Sequence, residues 1–169
     1  IARSGLHGSP PQNSGLLGFD AESQWISAQI HTHLAAKQDD SVVSAWVIGE
    51  ISRDLESLFP KPYRETLKQS LLESNTSSIP EADVILIGQI DADAVALEIE
   101  DASAMNPSCL VVDLSNSEAV ADALVDFEAT IINIDQRRVG MICQCIEKWT
   151  GIAPPEDIVI DAIEEYMAV

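Results

Sequence analysis

Positive charge is scarce in this sequence. Nine Lys and Arg stand against 28 Asp and Glu in 169 residues, a formal net charge of −19. Binding to a nucleic-acid backbone relies on basic side chains that release condensed counterions, so this composition argues against DNA or RNA as a partner. The shortage is sharpest in the middle: no Lys or Arg lies between Lys68 and Arg137, an interval that holds 14 Asp and Glu. That stretch offers no cationic clamp for a phosphate. Although 46% of the residues are hydrophobic, no apolar run approaches the roughly 18 residues of a membrane-spanning helix. No membrane association is expected. The three cysteines, Cys109, Cys143 and Cys145, are odd in number and lack disulfide-framework spacing, which predicts a reducing, cytoplasmic setting. With only His7, His31 and His33 available, no Ser-His-Asp or Cys-His set can be assembled.

A chain of this length fits one domain and buries about 70% of its unfolded surface without disulfides or metals. Residues 1–17, with several glycines and Pro10-Pro11, predict a flexible N-terminal tail ahead of a single domain over 18–169. Trp25, Ile26, Ile30 and Leu34 repeat at helical spacing, with Asp20 placed to cap that helix. Val42 to Gly49, Asp83 to Gly88, Cys109 to Leu114 and Ala129 to Ile134 are short apolar runs rich in β-branched residues, the pattern of buried strands. Helices are expected between them, through Ile51 to Phe59, Tyr63 to Ser74, Ala92 to Met105 and Glu118 to Phe127. Ser74 to Pro80 is a polar loop. Two more helices close the chain, one ended by Gly151 and one from Glu156 to Met167 after Pro154-Pro155. This alternation predicts an α/β, Rossmann-like three-layer α/β/α sandwich with a mainly parallel sheet.

In such sheets ligands gather at the carboxyl ends of the strands. The rule selects Gly49 and Glu50, Gly88 and Gln89, Asp113 and Ser115, and Asn133 with Asp135. Each also has a structural role open to it, glycine in a tight turn or a polar residue as a helix cap. The turn Gly49-Glu50-Ile51-Ser52-Arg53 keeps only the first glycine of a dinucleotide-binding Gly-x-Gly-x-x-Gly, and Glu50 brings an anion to the place of a pyrophosphate. His31-x-His33 and Cys143-x-Cys145 point about 200° apart on a helix and do not make metal pairs. Asp91-x-Asp93 fits a helix macrodipole better than a cation loop. No metal site is expected. Lys61, Arg64 and Lys68 form the one local basic cluster, suited to a phosphate or to offsetting acidic neighbours.

Read in order, Gly18-Phe19-Asp20, Val47-Ile48-Gly49, Ala82 to Ile87, Leu110 to Leu114, Gly140-Met141 with Gln144, and Trp149-Thr150-Gly151-Ile152-Ala153-Pro154 resemble landmarks of the nucleotide-binding half of the shikimate dehydrogenase family. The glycine-rich turn is interrupted, Gly and Phe replace the Asn and Thr before Asp20, and the family's substrate domain has no counterpart. The resemblance implies a stand-alone, degenerate domain that binds NADP or NAD. It would make Gly49 the turn glycine of the cofactor site, and the rest of that turn and the end of the second strand add Glu50, Ser52, Arg53, Gly88 and Gln89 as cofactor-binding candidates. Asp20 would be catalytic and contact substrate, and Gln144 would be a second substrate contact. Such a domain would be a weakened dinucleotide binder or would await a separate catalytic partner. Two alternatives stand beside it: a non-catalytic Rossmann-like module that forms a homodimer or binds a protein through an apolar patch, and a Mg²⁺-dependent enzyme using Asp113 and Asp135.

Overall fold

A computed structural model describes residues 14–37, 43–74, 82–95, 106 and 108–167. Four short strands, β1 (Ala45–Ile48), β2 (Val84–Ile87), β3 (Leu110–Asp113) and β4 (Thr130–Ile132), form one sheet in the order β1-β2-β3-β4. All three pairings are parallel, with Ile48 opposite Ile87 and Ile87 opposite Asp113. The central strands are buried at every position, as their unbroken apolar runs require of a sheet covered on both sides.

Alternate side chains divide the core into two. Ala45, Val84, Leu86, Leu110, Val112 and Ile132 face helices α1 (Ser14–Ala36), α2 (Leu55–Leu58) and α3 (Arg64–Ser74), meeting Ile26, Ile30, Leu34, Leu58, Phe59 and Leu67. Ile48, Ile85, Ile87 and Val111 face the other way, onto Val95 and onto Val120 and Leu124 of α4 (Glu118–Leu124). Helix α5 (Ile134–Thr150) packs extensively along α1, and α6 (Glu156–Met167) leans on α5. Residues 92–95 are helical, while the remainder of the expected Ala92 to Met105 helix and most of the Ser74 to Pro80 loop lie outside the described residues.

Some local expectations need correction. The helix expected through Ile51 to Phe59 is the single turn Leu55–Leu58, with residues 51–54 outside it. Asp20 does not cap the first helix: α1 begins at Ser14, so Asp20 sits within it as an exposed residue and residues 14–17 are helical rather than tail. Only glycines interrupt Ser14 to Asp20, and a helical glycine costs about 1 kcal/mol, too little to stop a helix that has a packing partner. The cap of α5 is Asn133, whose side chain accepts from the Gln136 amide at 2.9 Å while Gln136 Oε1 accepts from the Asn133 amide at 3.0 Å. This reciprocal capping box gives Asn133 a structural task. Gly151 ends α5 in the left-handed conformation, as expected.

The crossover geometry locates the functional edge. From β1 to β2 the chain passes over the α1 face through α2 and α3, whereas from β3 to β4 it passes over the opposite face through α4. Both steps run the same way across the sheet, so these two crossovers have opposite hands, although right-handed connections are the strong preference. The loops leaving β1 and β2 therefore diverge to opposite faces. Such divergence is where a parallel sheet opens a ligand crevice.

Candidate functional site

At that crevice the chain closes on itself. Glu50 and Gln89 form an antiparallel bridge just beyond the strands: the Glu50 amide donates to Gln89 O at 3.1 Å, and the Gln89 amide donates to Glu50 O at 2.8 Å. The Gly88 amide donates to Ile48 O at 2.8 Å, extending the ladder to the turn. Two glycines allow this approach. Gly49 has φ +78°, and a Cβ there would lie 2.7 Å from Gln89 O; a Cβ on Gly88 would lie 2.2 Å from Glu50 O and 2.8 Å from Ile51 Cγ1. Backbone amides that would cradle a pyrophosphate in an open glycine-rich turn are spent here on each other. The Gln89 side chain reaches the Ser115 carbonyl and ties the β2 loop to the β3 loop.

The cations of this edge are also committed. Glu22, projecting from α1, accepts from Arg137 Nη1 through one oxygen and from Arg53 Nη2 at 3.1 Å through the other. Arg137, 2% exposed, donates its second terminal nitrogen to Asn116 Oδ1 at 2.7 Å. Asn116 itself occupies left-handed backbone, φ 55°, a conformation Asn tolerates better than most residues. Buried Asp113 accepts from the Ser115 amide at 2.8 Å and from its hydroxyl at 2.6 Å, while its Oδ2 has no hydrogen-bond partner among the described residues. Burial pulls the Arg137 guanidinium below its ordinary pKa, and the charge of Glu22 opposes that shift.

The site residues expected from sequence fall into two places. Gly49, Glu50, Gly88 and Gln89 meet at the closed crevice, with exposed Ser52 on the same turn and Arg53 drawn away to Glu22. Asp20 lies instead on the α1–α5 seam, where Lys148 Nζ stands 3.1 Å from its carboxylate and Gln24 donates to it at 3.0 Å. Gln144 is one turn before Lys148 on the same face of α5. Both expected substrate contacts therefore share that seam, and Asp20 has a lysine partner from its own chain. Asp113 is buried against Ser115 and Asp135 is exposed 3.5 Å from Arg138, and among the described residues no group of His, Cys, Asp and Glu is placed to hold a metal ion. In the basic cluster, Lys68 pairs with Glu56 and Arg64 donates to Phe59 O at 3.3 Å. His31 packs on Tyr63 with ring centres 5.8 Å apart, whereas His33 turns to a groove.

That groove, about 1100 Å³, runs between α1, the edge strand β4, α5 and α6. Trp25, Ile132, Val139, Ile142, Ile160 and Ile163 give it an apolar floor; at its margin Arg138 offsets Asp135, and Glu156 and Glu164 leave the balance acidic. No helix among the described residues is long and apolar enough to cross a membrane. Sequence reasoning missed Glu22, Asn116 and Arg137 as site residues. One signal was present: Arg137, with Arg138 beside it, ends the long interval without a cation, and the first cations after so many carboxylates have many partners to choose from. No family model matches the chain, and no curated protein or solved structure matches it significantly.

Proposed function

We propose that this chain is a degenerate, shikimate-dehydrogenase-like Rossmann domain that has given up its dinucleotide and acts by binding a protein partner, without hydride transfer. The observation that carries this reading is the Glu50–Gln89 bridge, which fills the crevice between the β1 and β2 loops. Topology supports it. A dinucleotide-binding sheet orders its strands three-two-one-four-five-six. Removing the second and third leaves four consecutive neighbours, with the helix after the first strand stranded on the opposite face. The order of β1 to β4 agrees with this, and on this reading the domain is a three-layer α/β/α sandwich lacking one wing. In the intact fold the acidic residue that holds the cofactor ribose belongs to the missing wing.

The apolar groove supports the binding role. Its acidic margin, and the −19 charge of the chain, select a basic amphipathic helix as occupant and disfavour a second copy carrying the same charge. Calorimetric titration with NADP and NAD tests the first half of the proposal. No heat of binding is expected from either at millimolar concentration, and a saturable heat would restore the cofactor-binding reading.

A further inference from the structure

Glu22 has the geometry of a bound ligand. Each of its two carboxylate oxygens meets a different guanidinium, one from the loop after β1 and one from the first turn of α5. This is the bridging pattern by which arginines grip a planar carboxylate. The arginine side chains are almost wholly buried, 8% exposed for Arg53 and 2% for Arg137, and they lie close enough to repel one another. Two buried cations side by side require an anion between them. Next to them, Arg137 Nε is buried without a hydrogen-bond partner among the described residues, so the pocket holds a donor that its own residues leave unsatisfied. The carboxylate that fills it comes from α1, an element outside the sheet and its crossovers.

We propose that Arg53 and Arg137, the latter steadied by Asn116, form a carboxylate-binding site that Glu22 occupies as an internal ligand, and that a small external carboxylate takes its place when Glu22 is removed. The site is self-inhibited in the intact chain. It does not depend on the protein-binding role proposed above, since neither arginine lines the groove.

The test is thermal unfolding of Glu22→Ala in sodium formate and sodium acetate, against sodium chloride at matched ionic strength to remove general screening. A saturable rise of roughly 3 °C over chloride is expected in Glu22→Ala. No carboxylate-specific rise is expected in the wild type or in Glu22→Ala combined with Arg137→Met. Equal responses to formate and chloride, or a response that survives loss of Arg137, would overturn the proposal. A response to phosphate but not to formate would overturn the carboxylate assignment. Should Glu22→Ala be unfolded in chloride, native tryptophan fluorescence regained in formate supports the site, and an unfolded protein in both salts rejects it.

Discussion

The indole of Trp25 lies where a side chain on Gly140 would have to be: a Cβ added to Gly140 would stand 2.2 Å from Trp25 Cδ2 and Cε2. This close approach sets the spacing of α1 against α5, and therefore places Glu22 near Arg137 and Asp20 near Lys148. Gly140→Ala should cost about 1–3 kcal/mol, the usual range for overpacking, measured by urea unfolding. In Trp25→Leu, which removes the ring, the same substitution should cost markedly less. Equal costs in both backgrounds would separate Gly140 from the indole.

His33 gives the fold a pH response above the carboxylate range. Burial, then the charge of Lys37, hold its imidazole below the ordinary pKa of 6.5, with the Ser108 backbone and Asp83 opposing, and its Nε2 is buried without a hydrogen-bond partner among the described residues. The folded state therefore resists protonation that the unfolded chain accepts. Stability should be fully present above about pH 7 and should fall as pH drops through the unfolded value towards the lowered folded one. Thermal midpoints between about pH 7.5 and pH 5.5 check this. His33→Gln should flatten the slope in that window.

The thiols should differ in reactivity. Cys109 is fully buried in the core and burial raises its pKa, so little thiolate is available there. Burial, with the charge of Glu156, also raises the Cys143 thiol, but Cys143 and Cys145 are only half-buried on α5, so a reagent can reach them. Alkylation followed by mass spectrometry at neutral pH should label both of the latter well before Cys109 in the native protein, and all three at similar rates in denaturant.

Much of the architecture was legible in local pattern. The four apolar runs became the four strands within a few residues, because a doubly covered strand leaves an unbroken β-branched signature. The final helix and its Pro-Pro start, and the Gly151 stop, obey rules that act within one turn. The site was less legible because its contacts are remote. Glu22 and Arg137 are 115 residues apart, and nothing local marks either as the other's partner. The Glu50–Gln89 bridge depends on Ile48 standing opposite Ile87, a register that exists only once the sheet has formed. That Gly49 is followed by Glu50 and Ile51 with no second glycine could be read directly; the closure of the crevice could not.

The groove makes a separate prediction. A synthetic basic amphipathic helix should bind with an affinity that falls steeply with salt, and should change the fluorescence of Trp25 in the groove lining. Ile160→Ser lowers the apolar area of the floor at a position 40% exposed, so it should weaken binding while shifting the unfolding midpoint little. Undiminished binding by Ile160→Ser would place the peptide elsewhere.

The most direct test of the closed crevice is a titration of isotope-labelled protein with NADP, followed by NMR at the amides of Glu50, Gly88 and Gln89. Because these groups are spent on the bridge and its flanking turn, their resonances should stay in place at millimolar NADP. Saturable shifts confined to those three amides would contradict the account and support dinucleotide binding.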